Sequence, residues 1–327
     1  MQRIVSWDVI KFIAIFFVVW GHALKGFDLK HEHCYELYRF IYSFHMPLFM
    51  IVSGYFSASS FQMDVLAFLR KKGIQLLLPA FSWSMITSLL VMMFGSSMYD
   101  TLMEFVGNSW FLKTLFACFV AVFVAKQVFK SDILAFAISC VVAFVVPRAS
   151  FLQFNWLLPF FWAGYFLHYF HEKIKHWDSW LLLSTGCVVF VMASVKSVYS
   201  IPHLIFIDVE SLMANGFTLF FSFVWAAAVS LVIILLVQKL CRRDGALVRK
   251  MAFVGRYTLA IYVIQTILLE KILIRVLQFH IETAWVYNFV LTPLISCAVI
   301  VLCVNIAQLI EENRYTSLLL LGKKISR

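Results

Sequence analysis

An all-α, polytopic membrane fold follows from three observations on this 327-residue chain. Of its residues 63% are hydrophobic, only 13% are charged, and apolar runs of roughly twenty residues recur from one end to the other. Soluble domains carry about 25% charged residues, and no polar stretch here is long enough to fold alone. The whole of 1–327 therefore reads as a single integral-membrane domain. The apolar start has the look of a secretion signal. Asp8 and Lys11 interrupt it, however, and no small-residue cleavage site follows, so it is expected to be retained as the first helix.

About ten spans are expected. The first, 9–26, carries Lys11 and His22 in an otherwise apolar run, and the second, 39–57, contains Pro47, which can kink it. The third, 73–94, follows the Arg70-Lys71-Lys72 cluster, and the fourth, 110–125, opens at Trp110. Spans 133–147 and 152–170 are joined by a very short turn at Pro147. Next come 179–196 and 212–237, separated by the largest outer loop, 197–211, with Asp208 and Glu210. The ninth, 257–278, encloses Lys271 and Arg275, and the tenth is 285–309.

Net charge is +10. On one soluble face that would suggest nucleic acid; spread over short loops it sets topology instead, and no nucleic-acid partner is expected. With the N-terminus inside, inner segments carry 18 Lys and Arg, outer segments five and spans four, so both termini are expected in the cytoplasm. The largest inner loop, 238–256, holds Arg242-Arg243 and Arg249-Lys250. These residues read first as anchors to anionic lipid headgroups, and second as a phosphate-binding surface. The seven cysteines show no CxxC spacing and five lie in spans, so no disulfide framework is expected. His31, Glu32, His33 and Cys34 sit too close together on a loop to converge on one ion, and no metal is expected. No internal repeat is evident, which counts against a transporter built from inverted repeats.

Asp8, Lys11 and His22 are the first candidates for chemistry, because ionisable residues in a span need a partner, a cavity or a task. Asp8 precedes Lys11 by three residues and can pair with it. Lys11 and His22, eleven positions apart, return to nearly the same helix face. His45 in the second span lies at a depth similar to that of His22, each near the outer end of its helix. An imidazole can take a proton from a hydroxyl near neutral pH, which suits acyl transfer to an alcohol. The alternative for Asp8 and Lys11 is mutual neutralisation near the inner interface, with Lys11 snorkelling.

Arg3, Asp8, Lys11 and Gly21-His22, followed by Ser43-Phe44-His45-Met46-Pro47-Leu48-Phe49 and Ser53-Gly54-Tyr55, resemble the opening of the acyltransferase 3 family of membrane acyltransferases. The family's basic-residue, ten-residue gap, histidine pattern falls on Lys11 and His22. Arg70-Lys71-Lys72 through Leu78-Pro79 is similar to its basic segment entering helix three, and Asn108-Ser109-Trp110-Phe111-Leu112 to its Trp-Phe-Leu motif. Pro159 to Tyr165 and Gly255-Arg256-Tyr257 to Tyr262 are similar to later landmarks. The sequence departs from the pattern at Gln265, where a histidine is common, and at Gln75, where an arginine is often found. No C-terminal hydrolase-like domain is seen.

The resemblance implies O-acyl transfer, usually of acetyl, from cytosolic acetyl-CoA as co-substrate to a hydroxyl of a cell-surface polysaccharide, glycolipid or lipid-linked sugar. The enzyme would sit in the cell inner (plasma) membrane among its lipids. His22 would activate the hydroxyl or relay the acyl group, and His45 would orient it or stabilise the oxyanion. Lys11, held by Asp8, would face the donor side. Arg70, Lys71 and Lys72 would meet the CoA phosphates, and Trp110 would line the tunnel. A proton-coupled transporter or flippase for a sugar or glycolipid is the main rival, since it too needs intramembrane Asp, Lys and His. A non-catalytic membrane scaffold is the other.

Overall fold

The computed structural model describes residues 5–27, 35–145, 153–174, 178–193, 209–243, 245–277 and 283–323. These residues form helices and turns, with no strand among them. The loop His31–Cys34, the turn at Pro147 and most of the loop 197–211 lie outside the described residues.

In chain order the helices begin with α1 (Val5–Phe27), α2 (Tyr35–Tyr55) and α3 (Val65–Lys72), which continues through a π-helical stretch, Gly73–Leu77, into α4 (Leu78–Met93). They continue with α5 (Met98–Gly107), α6 (Trp110–Val128), α7 (Asp132–Val145), α8 (Phe154–Ile174), α9 (Asp178–Ala193) and α10 (Val209–Leu240), the last kinked at Asn215. α11 (Ala246–Gly255) and α12 (Thr258–Gln265) follow, and α12 runs through a π-helix, Thr266–Leu273, into α13 (Ile274–Val276). α14 (Ala284–Val286) passes through a second such stretch, Tyr287–Leu291, into α15 (Thr292–Glu312), and α16 (Arg314–Leu321) closes the series.

Helices cover most of each of the ten expected spans. Among the described residues, five helical stretches are long and apolar enough to cross a membrane: Val5–Phe27, Val65–Met93, Trp110–Val128, Met213–Leu240 and Ala284–Glu312. The third begins eight residues before its expected start at 73, because Asp64 caps it. Its carboxylate accepts from the Leu66 and Ala67 amides at 3.0 and 3.3 Å. Arg70, Lys71 and Lys72 then lie within this continuous helix, just before its π-helical stretch.

Two compact units make up the chain. One comprises Met1–Ala14, Arg39–Met63 and Ala117–Arg256; the other comprises Ile15–Tyr38, Asp64–Phe116 and Tyr257–Arg327. α1 thus gives its first half to one unit and its second half to the other.

The first unit is organised around the crossing of α2 and α8. A Cβ built on Gly54 would stand 1.9 Å from the Phe161 carbonyl oxygen, and one on Gly164 would stand 2.0 Å from that of Ile51. Only glycine lets the two backbones approach so closely. Beside this crossing the Tyr55 ring lies edge-on to that of His168, with centroids 5.1 Å apart. Gly255 plays the same part against α1, where its Cβ would fall 1.8 Å from the Asp8 carbonyl oxygen. That explains a glycine at the end of α11. Indole N–H groups join further helix pairs: Trp162 donates to Ser139 at 3.0 Å, and Trp225 to Ser43 at 2.8 Å. Lys126, Asp132 and Tyr165 form a polar knot that ties α6, α7 and α8, with Tyr165 donating to Asp132 at 2.8 Å.

Trp225→Phe keeps the ring and removes only the donor to Ser43, and both partners are buried. Interhelical hydrogen bonds in membrane proteins are worth about 0.6 kcal/mol on average and at most ~2. The expected result is a small fall in the melting temperature of detergent-purified protein with folded yield unchanged. A large loss would mean that the indole's packing, not its hydrogen bond, carries the contact.

In the second unit the second half of α1 is held by the last helices. Trp20 donates to Thr292 at 3.0 Å. The Tyr287 hydroxyl donates to the Leu24 carbonyl at 2.7 Å and so satisfies an acceptor that a helix C-terminus leaves without an intrahelical partner. Trp83 donates to the Leu320 carbonyl at 2.8 Å, joining α4 to α16. α16 stops at Gly322, whose φ of +63° is the left-handed conformation that glycine accepts without steric cost.

Candidate active site

Two helices build the centre of the second unit's polar cluster. α1 presents His22, and the π-helix after α12 presents Glu270; His22 Nδ1 lies 3.0 Å from Glu270 Oε1. One turn further along α1, a Cβ on Gly26 would fall 2.0 Å from Ile274 Cδ1, one turn beyond Glu270. The two segments therefore run side by side in the same direction. The His22 and Glu270 side chains remain 30% and 29% exposed, so a reactant can reach them.

The π-helix decides which side chains share this face. Its hydrogen bonds run i→i+5, so each turn is wider than in an α-helix and residue 270 comes back over residue 265. Gln265 is almost completely buried. Its amide nitrogen lies 3.3 Å from Thr266 Oγ1 and 3.5 Å from the Tyr262 carbonyl. Its amide oxygen has no hydrogen-bond partner among the described residues.

An ion pair lies next along the chain: Lys271 Nζ meets Glu104 of α5 at 2.8 Å. Lys113 supports the end of α5 by donating to the carbonyls of Phe105 and Val106 at 3.2 and 2.9 Å, where a helix C-terminus favours a cation. Between α5 and α6 the chain turns through Asn108-Ser109. Ser109 takes φ = +53°, a strained left-handed conformation for a residue other than glycine, and its hydroxyl donates to Asn108 Oδ1 at 2.8 Å. The turn starts α6 at Trp110 and aims the Phe111 amide at the Tyr262 hydroxyl, 3.3 Å away. The motif Asn108-Ser109-Trp110-Phe111 is thereby tied to the helix that carries Gln265 and leads into Glu270.

The residues singled out in the sequence fall into three places. Asp8 and Lys11 are paired at 3.2 Å in the first unit, as their spacing predicts. Asp8 is buried, and the Lys11 ammonium lies 5.1 Å from the Phe56 ring centroid. His45 is in the same unit, buried, with Nδ1 donating to the Ile41 carbonyl of its own helix at 2.7 Å and its ring edge-on to Tyr42. His22 belongs to the second unit, as do Arg70, Lys71, Lys72 and Trp110. Arg70 and Lys71 are exposed at the end of α3, whereas Lys72 is buried. Trp110 is half-buried, edge-on to Phe111. Glu270, Glu104 and Tyr262 were not singled out. The signal for Glu270 was present, since a carboxylate inside the expected span 257–278 is as costly as the histidine it meets.

Comparison with known proteins places this chain in a family. The chain is similar to the nodulation protein NolL of Mesorhizobium japonicum, with 25% identity covering 98% of this chain and 91% of that protein. It is also similar to the nodulation protein NolL of Sinorhizobium fredii, with 29% identity covering 63% of this chain and 58% of that protein. No solved structure matches it significantly. The family described as acyltransferase domain matches residues 4–309, a stretch that takes in α1, the π-helix with Glu270 and nearly all of α15. The chain belongs to the acyltransferase 3 family and is an acyltransferase.

Proposed function

We propose that this enzyme is an O-acetyltransferase of the plasma (cell inner) membrane, moving an acetyl group from cytosolic acetyl-CoA to a hydroxyl of a glycan, glycolipid or lipid-linked sugar. The observation that carries the reading is the contact between His22 Nδ1 and the Glu270 carboxylate. A carboxylate on Nδ1 favours the tautomer with its proton there and the lone pair on Nε2, which makes Nε2 the base. Nε2 takes the proton of the acceptor hydroxyl, whose oxygen attacks the thioester carbonyl. The tetrahedral intermediate then expels the CoA thiolate, which recovers the proton from the imidazolium as ester and free thiol form. Glu270 stabilises the imidazolium while it carries that proton.

The remaining residues divide between donor and acceptor. Arg70, Lys71 and Lys72 meet the CoA phosphates, because clustered cations suit phosphate oxygens. Trp110 lines the path of the acyl chain, Lys11 held by Asp8 faces the donor, and His45 orients the acceptor. Ten spans with both termini in the cytoplasm accompany this reading. In that layout spans one and nine cross in the same sense, as do spans two and six. The same-direction contacts of α1 with the π-helix fit it.

The test is turnover. Purified protein in detergent, given acetyl-CoA and native membranes as acceptor, is expected to release free CoA and to move radiolabel from the acetyl group into the glycan or lipid fraction. Absence of CoA release would favour a carrier, and label on protein alone would point away from a sugar acceptor.

A further inference from the structure

We propose that Gln265 is a positioning residue for the His22–Glu270 pair, holding the carboxylate against Nδ1 from the side opposite the imidazole. The inference rests on the reading of His22 as general base and adds a residue to it. Three observations carry it. The π-helix brings residue 270 back over residue 265, a juxtaposition that an α-helical course would not produce. Gln265 is almost completely buried, at a position where leucine or methionine would pack without a polar cost. Its amide nitrogen nevertheless has weak, long contacts to Thr266 and Tyr262, and its amide oxygen has no partner among the described residues. Burying a half-satisfied amide is unfavourable for folding alone.

The chemistry of the amide explains the choice. An amide N–H is a donor from which a carboxylate one π-helical turn away can accept, and as a neutral group it adds no charge that would compete with the imidazolium for that carboxylate. A lysine there would take the carboxylate for itself, and an apolar residue would leave its second lone-pair direction unrestrained. Held from both sides, Glu270 keeps the His22 ring in one orientation through the proton transfer, as supporting partners do for other working imidazoles.

The experiment compares Gln265→Met, Gln265→Leu and Gln265→His in the purified full chain, with acetyl-CoA turnover measured on native membranes and folding followed by melting temperature. Loss of an orienting partner is expected to lower kcat about tenfold or more in the two apolar variants, with KM for acetyl-CoA little changed. Gln265→His, which restores an N–H donor, is expected to recover most of kcat. Undiminished kcat in the apolar variants would overturn the proposal. So would a histidine variant as slow as they are, because the loss would then be one of packing. Apolar variants that melt well below wild type and are rescued by nothing would also count against it. Failure of the base reading shows separately, as full activity in His22→Ala whatever residue stands at 265.

Discussion

His22→Ala is expected to lower acetyl-CoA turnover by about 10²–10⁴-fold, the range that a positioned general base contributes. Glu270→Gln is expected to fall by on the order of 10²-fold, because the amide has nearly the same shape but cannot stabilise the imidazolium that forms on Nε2. The pair works as a unit, so the double variant is expected to be no slower than the worse single one; separate roles would instead multiply the losses. Both side chains stand partly exposed, so neither substitution opens a core cavity. Glu270→Gln is the cleaner probe, since His22→Ala leaves a carboxylate without its imidazole inside an apolar helix. Folded yield by size-exclusion chromatography separates chemistry from stability. Full turnover in His22→Ala would remove the histidine from the mechanism, and full turnover in Glu270→Gln would reduce the ion pair to a structural contact.

What could be read in the sequence follows from the range of the interactions. Asp8 and Lys11 are three residues apart on one helix, so their pairing is a local matter that spacing alone predicts. His22 stood out by its cost in an apolar run. Its pairing with Glu270, and the place of Gln265 beside that pair, did not, for two reasons. Glu270 lies far along the chain, and a single sequence contains no statement that the ninth span packs beside the first. The register of the ninth span also departs from the α-helix. At 100° per residue, residues 265 and 270 would lie about 140° apart, on different faces; the π-helix brings them together. Periodicity counted in α-helical turns therefore separates Gln265 from Glu270. The third span shows the reverse case, where a signal was present in plain residues. Asp64 is a helix cap three residues before the Ala67 amide it accepts from, and it moves the helix start ahead of the basic cluster.

Gly54→Ala and Gly164→Ala are expected to destabilise the protein strongly, although helix propensity argues for the opposite. In an exposed helix, alanine is better than glycine by about 1 kcal/mol. Gly186 of α9 is such a site, with open space around a built Cβ, so Gly186→Ala is expected to raise the melting temperature slightly. At 54 and 164 the added methyl would stand 1.9 and 2.0 Å from backbone carbonyl oxygens, which cannot swing away as a side chain would. The two helices must separate, and overpacking of this kind costs typically 1–3 kcal/mol or more. The consequence reaches function through Tyr55, the residue after Gly54. Its ring packs on Trp7 at 4.0 Å, and Trp7 precedes the Asp8–Lys11 pair on α1. A separated α2–α8 crossing withdraws Tyr55 from Trp7 and loosens the segment that presents Lys11. The expected signature is a lower melting temperature in both variants, with turnover at low temperature falling more in Gly54→Ala than in Gly164→Ala. Equal stability in all three glycine variants would mean that the backbones do not meet at this crossing.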